Sequence, residues 1–261
     1  MKPIRFKLWL LLATLFACEE RTDIDVKATT TDLIAVEGVM TNENRNHTVR
    51  LTRPYLRQNG TSSFVTGASV FVSDGFSSVS LTAGDSGKYL TPAMRFVSGR
   101  TYTLTILYNG RQFTAQDSSV PVESLGPLSY TPVEGGYRIN FFETGSQPNY
   151  INYDIIWAGT ASCAGACKAK VVYYDLKSVD ANALFKPEKT DFIFPSRSTV
   201  IRRKFSVSDR YRAYLRSMLS ETEWRGSVFD VQRDNAPTNF TPGAIGFFAV
   251  STVVSDTLKI Q

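Results

Sequence analysis

Three groups of residues have types and spacings that could support chemistry. They are Cys18, the tetrapeptide Gly84-Asp85-Ser86-Gly87 with His47 and Asp74 upstream, and the pair Cys163 and Cys167. Thiols can be acylated or oxidised, and a serine assisted by a histidine and an aspartate can act as a nucleophile. The three groups therefore indicate lipidation, acyl transfer and disulfide formation, respectively.

The N-terminus predicts a lipoprotein signal peptide over residues 1–17. Basic residues at positions 2, 5 and 7 precede an apolar run over residues 8–17, which only Thr14 interrupts. The run is shorter than the roughly 20 residues of a membrane-spanning helix. Leu15-Phe16-Ala17-Cys18 resembles a bacterial lipobox, in which the cysteine is diacylated through its sulfur and becomes the new N-terminus. We expect Cys18 to be lipidated; the alternative is a secreted protein with an unmodified Cys18.

Residues 18–30 are predicted to be the lipidated cysteine and a polar tether. Glu19-Glu20 is similar to the acidic export signal that follows the lipidated cysteine in surface lipoproteins of Bacteroidota. We therefore predict an outer-membrane anchor with the protein on the cell surface. The periplasmic face of that membrane is the alternative.

Charge and histidine content limit the macromolecules, metal ions and cofactors that the chain is expected to bind. The chain has 29 Lys and Arg against 24 Asp and Glu. Three of the basic residues leave with the signal peptide, so the mature chain is nearly balanced and no nucleic-acid partner is expected. His47 is the only histidine. Because histidine is a frequent metal ligand and general base, we expect neither a metal site nor a cofactor.

The tetrapeptide around Ser86 matches the one around the nucleophile of chymotrypsin-like proteases, and His47 and Asp74 precede it in that family's order. In that family two full barrels supply the three residues, whereas here they lie within one short stretch. A turn between strands predicted at 77–82 and 88–90 explains the same residues. We therefore expect no catalytic residues, and an envelope hydrolase is the least favoured function.

Cys163 and Cys167 are separated by Ala164-Gly165-Ala166. Three small residues let the chain turn tightly enough to bring the two Cα atoms within disulfide range. We expect a structural disulfide at a loop tip, which stabilises by about 2 kcal/mol in the chain-entropy model. A metal site and a redox-exchange pair are the alternatives.

Residues 31–121 are predicted to form an N-terminal β-sandwich. Short segments rich in Val, Thr, Phe and Tyr alternate with turn residues, which is typical of antiparallel strands. The predicted strands are 33–40, 48–52, 68–73, 77–82, 88–90, 101–108 and 111–116. Asn109-Gly110 tolerates the positive φ values of a hairpin turn. This stretch resembles the transthyretin-like and carboxypeptidase-regulatory-like modules of cell-surface proteins.

Residues 122–261 are predicted to form a second β-rich domain with one packed helix. Two prolines and a glycine between positions 121 and 127 interrupt the strand pattern and place the boundary. The predicted strands are 137–142, 150–157, 170–174, 199–205 and 246–254. The helix is expected near 208–221, because Ser208 or Asp209 can cap it and apolar residues recur there at i, i+3 and i+4.

Basic residues cluster between positions 197 and 216. They are Arg197, Arg202, Arg203, Lys204, Arg210, Arg212 and Arg216. Alternation with apolar neighbours predicts that the residues at 202–204 lie on the solvated side of an edge strand. The candidate partner-binding residues are Arg210, Arg212 and Arg216 on the outward helix face, with the predicted loops that carry Tyr130, Tyr137 and Tyr150 as a second patch.

Several short motifs together resemble one protein family. They are Cys18-Glu19-Glu20, Val36-Glu37-Gly38-Val39-Met40-Thr41, Val65-Thr66-Gly67-Ala68-Ser69-Val70, Gly87-Lys88-Tyr89, Gly99-Arg100-Thr101-Tyr102, and a glycine turn that leads into the apolar strand near 246–250. With this set the chain is similar to the Bacteroidota lipoproteins grouped as domain of unknown function 4249. The resemblance implies an outer-membrane lipoprotein, often encoded beside a TonB-dependent receptor, in a family with no assigned catalytic residues.

These observations favour an accessory or ligand-capture protein of the outer membrane that partners a TonB-dependent receptor. Capture predicts a concave site lined by aromatic residues. A structural or adhesive surface protein is the alternative.

Overall fold

The computed structural model of the chain describes residues 33–55, 61–141, 145–160, 163–177, 192–224 and 236–261. Within them the chain forms strands β1 to β15 and helix α1. The predicted mainly β fold with a single helix is confirmed. The predicted signal peptide, Cys18 and the tether lie outside the described residues.

The secondary structure follows the sequence pattern closely over the first half of the chain. The strands there are β1 Ile34–Thr41, β2 Thr48–Thr52, β3 Ser69–Ser73, β4 Ser78–Ala83, β5 Lys88–Leu90, β6 Thr101–Tyr108 and β7 Arg111–Ser118. The second half holds β8 Tyr130–Val133, β9 Gly136–Ile139, β10 Asn149–Thr160, β11 Cys163–Asp175, β12 Ile193–Phe194, β13 Thr199–Ser206, α1 Asp209–Glu221, β14 Ala244–Ser251 and β15 Val253–Lys259.

Eight strands form the first sheet, in the order β14-β1-β2-β5-β4-β3-β6-β7. β14 pairs with β1 in parallel, with Ala244 opposite Ile34, and β1 pairs with β2 in antiparallel fashion. The two end strands of the sheet also approach each other, because Ala115 of β7 bridges Phe240 just before β14. The sheet therefore curls around one apolar core.

The alternating pattern of the strands explains this curl. In β6 the side chains of Tyr102, Leu104 and Ile106 are buried, whereas those between them are more exposed. These residues share one core cluster with side chains of β1, β7 and β14. A strand with one apolar face must cover that face, and here the other strands of the same sheet cover it.

Two turns show why particular residues are needed. Asn109 and Gly110 have φ values of 49° and 71°, so the predicted hairpin turn between β6 and β7 is confirmed. Gly246 in β14 has a φ of 93°, and a Cβ there would collide with the backbone oxygen of Val36. Glycine is therefore required where β14 lies against β1.

The second half of the chain builds two smaller sheets. Their orders are β11-β10-β13-β15 and β12-β9-β8. Helix α1 is capped by Ser208, whose side chain accepts a hydrogen bond from the backbone N–H of Tyr211, as the sequence predicts. The helix packs Tyr211, Leu215 and Leu219 into a cluster that also contains Tyr150 and Phe247.

Three features of the second half differ from the sequence prediction. Strands β8 and β12 are short and were not predicted, and the strand expected at 246–254 is two strands, β14 and β15. Thr252 separates them, and its N–H donates to the Ser206 Oγ. The chain thus passes from the first sheet into the four-stranded sheet at this residue.

Residues 32–261 form one compact unit. β14 belongs to the predicted second domain by sequence but completes the first sheet. The predicted boundary between residues 121 and 122 stays a prediction. Among the described residues, no helix is both long and apolar enough to span a membrane.

Candidate functional site

His47 is a buried structural residue with both ring nitrogens engaged. Its Nδ1 accepts the N–H of Thr41 at 3.4 Å, and its Nε2 lies 3.0 Å from the carbonyl oxygen of Met94, to which it donates. The ring also packs edge-to-face on Phe96. Burial lowers the pKa of the imidazole, which keeps it neutral. These contacts leave His47 no role as a base for Ser86.

The other two residues of the protease-like pattern lie in turns, and for Ser86 this is the predicted arrangement. Ser86 has a φ of 57° in the turn between β4 and β5. Asp74 caps its own turn by accepting the N–H groups of Phe76 and Ser77, and it pairs with Arg100 at 2.7 Å. Those hydrogen bonds lower the pKa of the Asp74 carboxyl. Ser86 and Asp74 therefore each have a structural role in the turn that contains them.

Asp117 is a buried carboxylate that sequence reasoning missed. It lies in β7 and is 5% exposed. One oxygen accepts the N–H of Val250 in β14 at 2.9 Å, and the other accepts the Ser208 hydroxyl at 2.8 Å. Burial raises the pKa of this carboxyl, and the two hydrogen bonds partly oppose that shift. Asp117 thus ties together β7, β14 and the residue that caps α1.

Asn239 joins the same two strands, β7 and β14, two residues before Val250 along β14. Its side-chain NH₂ donates to the carbonyl oxygens of Gln116 and Phe248, and its side-chain oxygen accepts the N–H of Phe248. One amide therefore satisfies groups on both end strands of the first sheet. An aspartate and an asparagine far apart in sequence carry no local signal of this shared role.

The basic residues of β13 do not lie on an edge strand, so that prediction is wrong. β13 is central, between β10 and β15. Arg202 is 4% exposed, forms a two-pronged ion pair with Asp256 of β15 and donates to the carbonyl oxygen of Gly126. Arg203 pairs with Asp154 of β10 at 2.9 Å. The charges are tolerated inside the sheet because neighbouring strands supply carboxylates.

Lys204 is also buried, at 1% exposure, rather than solvated. Burial lowers the pKa of its ammonium group, while the charges of Glu123 and Asp175 raise it. The run at 202–204 is thus mostly part of the interior. What remains on the surface is Arg197, before β13, and the outward face of α1.

Helix α1 presents two faces of different character. Its inner face is aromatic: Tyr211 stacks on Phe247 at 5.1 Å between ring centroids, and Tyr214 lies 5.2 Å from the same ring. Burial raises the pKa values of both tyrosines. On the outer face Arg210 is exposed, and Arg212 is half-buried and pairs with Asp209 at 3.2 Å.

Arg216, the third candidate on this helix, is half-buried, and its Nε is inaccessible to solvent. Arg210 and Arg212 are therefore the two candidate arginines whose groups reach the surface, and being two positions apart they project on different sides of the helix. We name these two residues the helix arginine pair.

The second predicted patch is only partly on the surface. Tyr130 in β8 is 36% exposed and meets Tyr137 of β9 edge-to-face at 5.5 Å. Tyr150 lies in β10, is buried and stacks on Phe205 at 4.6 Å. All three tyrosines lie in strands and not in loops. Tyr150 is a core residue, so only the other two can contact a partner.

Cys163 and Cys167 form a disulfide near the end of the long β10–β11 hairpin, with their Cα atoms 6.1 Å apart. β13 covers β10 only as far as Ile156, so the hairpin continues beyond the sheet as a two-stranded ribbon. The disulfide lies in that uncovered part. A two-stranded ribbon is weak by itself in water, and the disulfide, which joins two residues of β11, restrains that strand.

The family model described as "Domain of unknown function (DUF4249)" matches residues 19–257. The chain belongs to this family. Comparison with curated proteins finds no match. The region shared with the domain of unknown function 4249 family covers α1, the disulfide and the three sheets except the last two residues of β15.

Within the described residues of this family domain, no group of three or more His, Cys, Asp or Glu side chains could hold a metal ion. A small cavity lies beside Arg202 and is lined also by Leu125, Leu128 and Tyr153. It has room for about one water molecule, far below the several hundred Å³ of a typical small-molecule site. This cavity is not the concave aromatic site that capture of a small ligand requires.

Proposed function

We propose that the protein is a lipid-anchored outer-membrane accessory protein that partners a TonB-dependent receptor and acts by binding rather than by catalysis. The family match begins at Glu19, directly after the lipobox cysteine. That position is the one expected if Cys18 becomes the N-terminus of the mature chain. The cell surface is the proposed side of the membrane.

The helix arginine pair is the observation that supports a protein partner. An aromatic cluster fixes the inner face of α1, so the outer face is held in one orientation before any partner arrives. Arginine is enriched at the centres of protein interfaces, where its planar group binds carboxylates in a two-pronged geometry. The partner's docking surface is therefore acidic in this proposal.

The partner is tested by purification from native membranes in mild detergent at low salt. The tagged lipoprotein should bring a receptor barrel with it, and the double variant Arg210→Glu/Arg212→Glu should lose most of that receptor. Lys168→Glu/Lys170→Glu is a matched control, because it reverses two exposed charges on β11. A lone monomer, or equal loss in both variants, contradicts the proposed partner surface.

The anchor is tested separately with Cys18→Ala. A diacylated cysteine with an added amide-linked chain holds a protein stably on a membrane, whereas a single chain does so only weakly. The variant should appear in the soluble fraction, and mass spectrometry of the native N-terminal peptide should show the acyl mass. If the variant still sediments with the outer membrane, lipidation is not the anchor.

A further inference from the structure

One side of the four-stranded sheet is open to solvent away from helix α1. Residues directly opposite each other in paired strands point to the same side of a sheet, so the pairing of β11, β10, β13 and β15 sets out rows of side chains. The row that packs under α1 consists of Tyr174, Tyr150, Phe205 and Val253. The rows farther from α1 on the same side contain exposed side chains.

Two of these rows form a basic surface. In strand order from β11 to β15, one row is Lys168, Ile156, Thr199 and Lys259, and the other is Lys170, Asp154, Ile201 and Thr257. The three lysines are exposed, and so are the isoleucine of the first row and the threonine of β15. We name these two rows the lysine face.

The fold does not neutralise the lysines of this face. In the part of the chain that the structure describes, no carboxylate lies within ion-pair distance of Lys168, Lys170 or Lys259. Asp154 is the one carboxylate in the two rows; it lies opposite Lys170 but binds Arg203 at 2.9 Å. The lysine face therefore offers three ammonium groups to an anion.

The spacing of the three charges suits a chain with repeated negative groups. Lys168 and Lys170 are two residues apart on β11, which is roughly 7 Å along the strand. Lys259 lies three strand spacings away across the sheet, which is roughly 14 Å. A single small anion cannot contact ammonium groups so far apart, whereas a polyanion can meet all three.

The other side chains of the lysine face favour a saccharide over a protein surface. Lysine is depleted at protein interfaces, whose anchors are aromatic residues and arginine, and the two rows contain neither. The hydroxyls of Thr199 and Thr257 can both donate to and accept from the hydroxyls of a sugar, and ammonium groups bind its carboxylates. Ile156 is 38% exposed between the lysines and gives a sugar ring an apolar contact.

We propose that the lysine face binds an acidic polysaccharide, a chain whose sugars carry carboxylate groups. The polysaccharide lies across the four strands and meets lysines on both edge strands of the sheet. This surface is separate from the helix arginine pair, because α1 packs on the row of Tyr150, two rows away. The binding is a property of the folded chain and depends neither on the proposed lipid anchor nor on a receptor.

The test uses the unacylated chain, residues 18–261 with Cys18→Ser, and immobilised polygalacturonate at low salt, with neutral dextran as the reference polymer. The protein should bind only the polygalacturonate, and Lys168→Glu/Lys170→Glu should weaken binding by about tenfold or more. Arg210→Glu/Arg212→Glu changes the net charge equally and should bind as before. An equal loss in the two variants overturns the proposal, as does unchanged binding of the lysine variant.

The opposite edge of the sheet is tested by Lys259→Gln. This variant should also weaken binding, whereas Lys88→Gln, which removes an exposed charge from β5, should not. Binding should disappear as the salt concentration approaches 1 M, where charges are screened beyond about 3 Å. If Lys259→Gln binds as well as the native chain, the polymer does not lie across the sheet.

A measurement on the native sequence covers the case in which a variant fails to fold. Polygalacturonate should protect Lys168, Lys170 and Lys259 from an amine-reactive reagent, as read by mass spectrometry of the peptides. Lys88 should react at the same rate with and without the polymer. Protection of Lys88 to the same extent, or no protection of the three lysines, overturns the proposal.

A last arm separates a polysaccharide from an acidic polypeptide. Poly-L-glutamate of matched length and charge should bind at least tenfold more weakly than polygalacturonate, because it has no hydroxyls for the threonines. Equal binding would mean that the lysine face attracts any polyanion and would overturn the assignment to a saccharide. None of these arms contains a receptor or a lipid, so their failure leaves the proposed receptor and anchor to their own tests.

Discussion

The eight-stranded and the four-stranded sheet accommodate buried polar groups in different ways. In the first sheet His47 bonds to backbone groups, and Asp117 bonds to one backbone N–H and one hydroxyl. In the second, Arg202 and Arg203 pair with carboxylates on adjacent strands. In the first sheet, buried polar side chains thus bond to backbone groups or a hydroxyl. In the four-stranded sheet, oppositely charged side chains pair between adjacent strands. Because every residue carries the same backbone groups, the sequence does not reveal which of them a buried polar side chain binds.

Loss of Asp117 should have the largest effect on stability. In Asp117→Leu the buried Val250 N–H and the part-buried Ser208 hydroxyl lose their acceptor, at roughly 2.5 and 1.5 kcal/mol, so the free energy of unfolding should fall by about 4 kcal/mol. Urea denaturation measures this. Asp117→Asn is the control, because its amide can accept from Val250 and donate to Ser208. If Asp117→Leu loses no more stability than Asp117→Asn, these two hydrogen bonds do not hold β7, β14 and Ser208 together.

Breaking the pair at Arg202 should come next, at about 3 kcal/mol. Arg202→Met leaves the Asp256 carboxylate and the Gly126 carbonyl oxygen without their donor. Removing one partner of a buried pair costs 3–5 kcal/mol, and the lower end applies here because Asp256 is 36% exposed at its side chain. The more exposed pair Arg203–Asp154 is the comparison: Arg203→Met should cost about 1 kcal/mol. Equal urea midpoints for Arg202→Met and Arg203→Met would show that the buried pair and the more exposed pair contribute equally to stability.

Removal of the disulfide should cost about 2 kcal/mol or less. The bond closes a very short loop, so it restricts the unfolded chain only modestly. Cys163→Ser/Cys167→Ser should therefore remain folded, with the loss confined to the β10–β11 ribbon and visible as faster hydrogen exchange there. In the native chain neither cysteine should react with an alkylating agent until a reductant is added. Alkylation without reductant would show that the bond is absent.

The smallest effect is a pH dependence from His47. Burial lowers its folded-state pKa below 6.5, so under mildly acidic conditions the unfolded chain binds a proton that the folded chain does not. Stability should therefore fall as the pH drops below about 6.5, by no more than about 1.4 kcal/mol per pH unit and only until the lowered pKa is reached. His47→Gln should flatten the curve between pH 7.5 and pH 5.5. An unchanged slope would mean that another group is responsible.

The sequence predicted the first half of the fold well because its signals are local. β2, β5 and β6 have the predicted bounds, and Asn109-Gly110 forms the predicted turn. Strand alternation and turn chemistry act within a few residues, so they can be recognised without knowing the partners. The Ser208 cap of α1 is local in the same sense.

The features that were not predicted depend on distant partners. The central position of β13 follows from pairing with β10 and β15, and the change of sheet at Thr252 follows from its bond to Ser206. No local pattern distinguishes a solvated arginine from one that meets Asp256 across a strand. That Arg210 and Arg212 lie away from the inner face of α1 could be predicted, because the spacing of the apolar residues decides which positions pack inward. The hydrogen bond from Arg53 to the Tyr108 hydroxyl was not predicted, because the two residues meet only in the folded sheet.

The parallel pairing of β1 with β14 affects the order in which the fold can be completed. Asn42, just after β1, bonds to Val253, just after β14, and the two are 211 positions apart in sequence. Local hairpins such as β6–β7 can form early, but the outer edge of β1 stays uncovered until almost the whole chain has emerged. Contacts of such long range form slowly, since loop closure precedes any gain from pairing. We expect a chain of this topology to complete its first sheet only after β14 has been synthesised and can pair with β1.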